Sequence, residues 1–177
     1  MTRFSPLLSL TGALAVSTIV AGATAAPPTG TRSTRDFVQA AAQTDQFEIM
    51  EASTALAQSQ DAQVRSFAQE MIQAHRRTAA DFKQAVTKAG LEKPKPGLSG
   101  DQSAFLAALQ SQRGADFDRT YLKQQMLVHR SALVVMRGYS SSGEDPTIRQ
   151  AATAEIPIVA SHLQMLENAA ATSGSSK

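Results

Sequence analysis

The sequence of 177 residues contains no cysteine. This absence excludes disulfide bonds, thiolate metal sites and cysteine nucleophiles. It also excludes lipid attachment through a cysteine beside an export signal. A metal site in this chain would have to be built from histidine, carboxylate or methionine side chains.

Other patterns are missing as well. The sequence has no runs of β-branched residues, whereas alanine and glutamine are abundant, and this composition favours helix throughout. It has no basic stripe with interleaved aromatic residues, which argues against a nucleic-acid partner. It also lacks the Gly-x-Ser-x-Gly turn that would mark a serine nucleophile. We therefore predict an all-α protein that neither binds nucleic acid nor carries a hydrolytic triad.

The first 25 residues are predicted to be a signal peptide. Arg3 is the only charge before an apolar run from Leu7 to Ala23, and the following Thr24 and Ala25 complete the small-x-small form that signal peptidase accepts. Cleavage after Ala25 leaves about 150 residues, enough for one domain with its own core. This pattern predicts a periplasmic or secreted protein with no stable membrane insertion after cleavage. An uncleaved membrane anchor is the alternative, because the apolar run is nearly long enough to span a bilayer.

The rest of the chain is predicted to be a flexible lead-in over 26–35, a helical domain over 36–170 and a disordered tail over 171–177. The apolar periodicity predicts four long helices. They extend from about Asp36 to Ser59, Val64 to Val86, Asp116 to Tyr139, and from Asp145-Pro146 to about Ala170.

Connection lengths predict how these helices pair. The short links before Val64 and before Pro146 make two antiparallel hairpins. Residues 91–114 form a long crossover with a short helix near 103–110. Two hairpins joined in this way make the ferritin-like form of the four-helix bundle.

Polar side chains occupy inward positions on helix faces that are otherwise apolar. Their heights, counted from the loops at about 1.5 Å per residue, fall near the middle of the bundle, although one histidine is offset by about 9 Å. We predict that five side chains converge there: Glu48, His75, His129, Glu155 and His162.

Three imidazoles at one level have few donors and acceptors to share unless an ion joins them. Neutral imidazoles with a carboxylate suit zinc or copper better than magnesium or calcium. Each histidine also has a methionine about one turn away (Met71, Met126 or Met165), which would favour copper(I). Methionine is equally a common filler of irregular cores.

Iron is less favoured. A di-iron or di-manganese oxidase of this bundle type needs a Glu-x-x-His motif on each of two helices. Ile72 stands three residues before His75, and Val159 stands three residues before His162, so neither motif is present. We therefore expect binding rather than catalysis.

Several short motifs occur in a defined order along the chain. They are Asp36-Phe37-Val38, Phe47-Glu48-Ile49, Phe67 to Ile72 leading to His75, Phe117-Asp118 with Tyr121 and His129, and Ile156-Pro157 with His162-Leu163. These motifs resemble the exported bacterial family called domain of unknown function 4142, over roughly 36–169. The resemblance implies a ferritin-like bundle outside the cytoplasm, without an assigned reaction. By matching position it marks Glu48, His75, His129 and His162, although Ala74 replaces an acidic residue that is usual there.

Three functions remain open at this point. The first is an exported bundle that binds zinc or copper for metal handling or envelope stress. The second is a non-enzymatic envelope protein whose histidines and glutamates form a buried polar network. The third, least favoured, is a ferritin-like di-metal oxidase. The sequence does not identify a protein partner.

Overall fold

A computed structural model describes residues 32–174, with side chains as far as Ala171. The predicted signal peptide, residues 26–31 of the lead-in and residues 175–177 of the tail lie outside the described residues. The helices are α1 (Thr34–Gln58), α2 (Ala62–Lys88), α3 (Gly100–Ser111), α4 (Gly114–Ser142) and α5 (Pro146–Gly174). No strand occurs between residues 32 and 174, so the predicted all-α class is confirmed.

Local signals at the helix starts agree with the sequence. The Asp61 carboxylate accepts hydrogen bonds from the Gln63 and Val64 amides and caps α2. Before α5, the Asp145 carboxylate accepts from the Ile148 amide, and a proline occupies the first helical position. At its other end α5 continues to Gly174, so it includes residues 171–174, which the sequence analysis assigned to the tail.

The helices pack as two hairpins, α1 with α2 and α4 with α5, joined by a crossover that carries α3. One apolar cluster contains Phe37 from the start of α1, Phe82 from the end of α2, Tyr139 from the end of α4 and Ile148 from the start of α5. The ends of α2 and α4 therefore meet, and these two helices run parallel. The crossover must then traverse the length of the bundle, for which the predicted span of 91–114 is long enough.

A second apolar cluster lies at the other end of the bundle, where Met71 packs with Phe117 and Tyr121. Between the two clusters is a set of buried polar side chains that we call the polar layer. It consists of Asp45, Glu48, Glu51, His75, Thr78, Gln125, His129, Glu155 and His162. No helix within residues 32–174 is long and apolar enough to cross a membrane.

The face of α4 differs from the expected one. The apolar periodicity of the sequence predicts an inward stripe of α4 that includes Val128, Ala132 and Val135, but these three residues are only partly buried. The buried line instead includes Gln125 and His129, which the apolar pattern had placed on the shoulder. This rotation turns the polar side chains of α4 toward the polar layer.

Candidate metal centre

Three histidines from three helices meet in the polar layer. His75 of α2, His129 of α4 and His162 of α5 are all buried, and each offers one ring nitrogen within 4.8 Å of the other two. The His129 Nε2 and His162 Nδ1 atoms are 3.2 Å apart. We call these three residues the histidine centre.

Asp45 of α1 orients the first imidazole. The His75 Nδ1 atom lies 2.9 Å from Asp45 Oδ1, which also accepts a hydrogen bond from Thr78 Oγ1 at 2.9 Å. The ring therefore donates its Nδ1–H to the carboxylate, so Nε2 is the nitrogen that could bind an ion. Nε2 is buried and has no hydrogen-bond partner in the described part of the chain. A histidine held in this way resembles a metal ligand whose second nitrogen is fixed by a carboxylate.

The backbone of α4 orients the second imidazole. His129 Nδ1 lies 2.9 Å from the Gln125 carbonyl oxygen, which can only accept, so Nδ1 carries the proton. In the neutral ring Nε2 is then an acceptor, and His162 Nδ1 donates to it. An ion between them would take the Nε2 lone pair and would move the His162 proton to its other nitrogen.

The protonation of the centre follows from burial and charge. Burial lowers the pKa of His129, and the neighbouring His75 adds to this effect, although Glu48 opposes it. Burial together with His129, His75 and Arg77 lowers the pKa of His162 to about 3. For His75 burial also acts downward, but the Asp45 hydrogen bond and the Glu48 charge outweigh it and raise the pKa. At neutral pH the His129 and His162 rings are therefore uncharged, and each has one nitrogen lone pair.

The donor geometry is close to what a metal requires. Nitrogens on a tetrahedral ion at about 2.0–2.1 Å from the metal are roughly 3.3 Å from each other. One histidine pair already has this spacing, and the others need to contract by no more than about 1.5 Å. Small rotations of the imidazole rings would supply that movement.

The two predicted carboxylates lie beside the histidine centre but are not members of the three-residue group. Glu48 Oε1 is 3.8 Å from His129 Nδ1, on the side of the ring away from Nε2. Burial, with the charges of Asp45 and Asp81, raises the pKa of Glu155 to about 8. A cavity of about 20 Å³, enough for one water molecule, is lined by both glutamates together with His75 and His129. Ligation by Glu48 or Glu155 stays a prediction.

A much larger groove reaches the centre from outside. It has a volume of about 1310 Å³, lies between α2, α4 and α5, and has His162 on its wall beside Arg77 and Met165. The histidines therefore lie between a small cavity and an open groove, and the groove gives an ion a route from solvent.

Asp45 could not be found from the apolar periodicity of α1, which predicts the neighbouring Thr44 as the inward residue. The available signal was the spacing to Glu48, since residues three apart share a helix face. The sequence offered Glu51 only as one more carboxylate for a metal site, and its periodicity placed Gln125 on the shoulder of the α4 stripe. Both side chains are fully buried.

The sequence profile of a family described as Domain of unknown function (DUF4142) matches residues 20–169. No curated protein matches the chain significantly. Similar folds occur in several solved structures. A DUF305 fragment from Deinococcus radiodurans has 18% identity and a TM-score of 0.66 over 76% of this chain and 93% of its own. A DUF305 protein from Streptomyces coelicolor has 16% identity and a TM-score of 0.66 over 78% and 90%. CopM in its Cu(II)-bound form has 18% identity and a TM-score of 0.63 over 77% and 94%.

Proposed function

This chain belongs to the family described as Domain of unknown function (DUF4142), and from that premise we propose that it is an exported helical bundle that binds one copper or zinc ion through His75, His129 and His162. The observation that carries the proposal is the convergence of three imidazole nitrogens within 4.8 Å, from three different helices. Two of the rings are already oriented by hydrogen bonds at their other nitrogen.

The donor set favours copper or zinc over iron. Imidazole nitrogen suits both ions, and at such a site Cu(II) binds more tightly than Zn(II). CopM, which shares the fold, has been solved with Cu(II) bound, and this supports copper as the first ion to test. Glu48 and Glu155 balance the charge of the ion, and Glu155 or a water molecule in the small cavity provides a fourth ligand. Export is supported by the charge and small-residue pattern of the first 25 residues.

Metal titration of the chelator-stripped protein tests this proposal. We expect one Cu(II) or Zn(II) per chain and a higher melting temperature, because an ion that binds only the folded state stabilises it. The substitution His162→Gln should abolish the increase, since it removes a ligand nitrogen. Lys123→Gln, at an exposed position of α4, is the matched control and should behave like the parent. An unchanged melting temperature with both ions would refute the proposal.

A second function is favoured by one observation. Each imidazole has a polar partner within the described helices, namely Asp45, the Gln125 carbonyl or another histidine. The histidines would then form a structural polar network in an envelope protein. In that case His162→Gln would be tolerated and metal ions would leave stability unchanged, so the same titration separates the two functions.

A further inference from the structure

A second group of donors lies between α1 and α4, beside the histidine centre. Its members are four side-chain oxygens that are buried and have no hydrogen-bond partner among residues 32–171. They are Glu48 Oε1, Glu51 Oε1, Tyr121 OH and Gln125 Oε1. All four side chains are 0% exposed. We call them the oxygen cluster.

The four residues of the cluster are close to one another. The Gln125 amide nitrogen donates to Glu48 Oε2 at 2.5 Å and to Glu51 Oε2 at 3.1 Å, so it brings both carboxylates to one point. Tyr121 precedes Gln125 by one helical turn, and its phenol is close enough to interact electrostatically with both glutamates. Burial and the charges of Glu48 and Glu51 raise the Tyr121 pKa well above its usual value.

The cluster lacks positive charge. A buried carboxylate is costly unless it is paired, and two adjacent carboxylates repel each other. Burial and the charge of Glu48 raise the pKa of Glu51 to about 8. No lysine or arginine in the described helices forms an ion pair with either glutamate. The nearest basic group is His129, 3.8 Å from Glu48.

A divalent cation would remove this imbalance. Two carboxylates neutralise its charge, and the phenol and the amide contribute neutral oxygens. In the present arrangement the amide nitrogen of Gln125 faces the carboxylates, but a half-turn of the terminal amide exchanges nitrogen and oxygen without changing its shape. An all-oxygen donor set suits hard cations such as Mn²⁺, Mg²⁺ or Ca²⁺.

We propose that Glu48, Glu51, Tyr121 and Gln125 form a second metal site, which takes a hard divalent cation. The His129 ring separates this site from the histidine centre, because its Nδ1 edge faces Glu48 and its Nε2 faces His162. The proposal does not depend on copper or zinc binding by the histidines, because the donors of the two sites differ in kind.

The test uses Mn²⁺ as the probe, with electron paramagnetic resonance to count the free aquo ion. Mn²⁺ should bind the chelator-stripped protein and its His162→Gln variant with the same affinity. Glu51→Gln should weaken Mn²⁺ binding by more than the roughly 10–100-fold that losing an outer partner of a ligand costs. The same variant should still bind Cu(II) like the parent. Glu167→Gln, at an exposed position of α5, is the control and should leave Mn²⁺ binding unchanged.

Tyr121→Phe gives an independent test, because it removes one neutral oxygen and keeps the ring that packs in the core. It should weaken Mn²⁺ binding while circular dichroism shows the helices intact. Equal Mn²⁺ affinity in the parent, Glu51→Gln and Tyr121→Phe proteins would overturn the second site, as would a parent protein that leaves the aquo-ion signal unchanged. Loss of Mn²⁺ binding in His162→Gln would also overturn it, because the ion would then occupy the histidine centre.

Discussion

Asp45→Asn is the most informative single substitution for the histidine centre, because Asp45 orients His75 and touches no proposed ion. Asparagine is nearly the same size as aspartate, and its amide oxygen can still accept the His75 Nδ1–H. The substitution therefore removes the negative charge but keeps a hydrogen bond. Losing such an outer partner typically weakens metal affinity about 10–100-fold.

The size of the effect follows from mass action. With free metal at about 100 times the dissociation constant, the parent protein gains roughly 2.7 kcal/mol of stability. If the dissociation constant rises about 10-fold, the gain at the same concentration falls to about 1.4 kcal/mol, and a rise of about 100-fold leaves about 0.4 kcal/mol. For about 150 residues, the metal-induced rise in melting temperature should fall from roughly 5–11 °C to roughly 1–6 °C.

The assay is thermal unfolding of each variant with and without metal, together with competition against a chromophoric chelator. Comparing the metal-induced increment cancels any change in the stability of the metal-free protein, such as that from the altered Thr78 bond. Asp101→Asn, on the exposed side of α3, is the control. If Asp45→Asn binds copper and zinc with the parent's dissociation constant, the assigned role of Asp45 is wrong.

Three further predictions concern the bundle around the site. Glu155 holds a proton in the folded state up to a pKa of about 8 but releases it near 4.5 when unfolded, so this group alone should cost the metal-free protein up to about 5 kcal/mol as pH rises from 4.5 to 8. Glu51, whose pKa is also raised to about 8, adds a loss of its own in the same range. In urea unfolding Glu155→Gln should therefore make the loss smaller without removing it, and parallel pH profiles of parent and variant would contradict the assignment. Tyr139→Phe removes the 2.7 Å hydrogen bond with Thr34 and should cost about 1 kcal/mol by the same method, whereas an unchanged midpoint would show that the bond contributes nothing. Met71→Leu should cost less than about 1.5 kcal/mol and leave copper affinity unchanged, because Met71 is packed within an apolar cluster; weaker Cu(I) binding would make it a ligand.

Local signals were sufficient to predict most of the fold. The caps at Asp61 and Asp145 fix where two helices begin, and the short links before those helices leave no geometry but a hairpin. The crossover is long enough to run the length of the bundle, so the sequence permits α2 and α4 to be parallel without requiring it.

The site was less predictable because it depends on how each helix is rotated. On α4 the residues Val128 and Val135 outweighed Gln125 in the apolar pattern, since periodicity alone treats a buried amide as a surface residue. Loop counting also left His162 about 9 Å from His129 in height, whereas the ring nitrogens lie 3.2 Å apart. Side-chain reach and helix rotation close that distance, and neither can be read from spacing.

The division of the histidines between the hairpins has a consequence for folding. His75 belongs to the first hairpin, whereas His129 and His162 belong to the second. Neither hairpin alone can complete the coordination sphere, so tight ion capture must wait until the two halves have docked. A bound ion would then link the two hairpins across their interface. It should slow unfolding by opposing the separation of the hairpins rather than the fraying of any single helix.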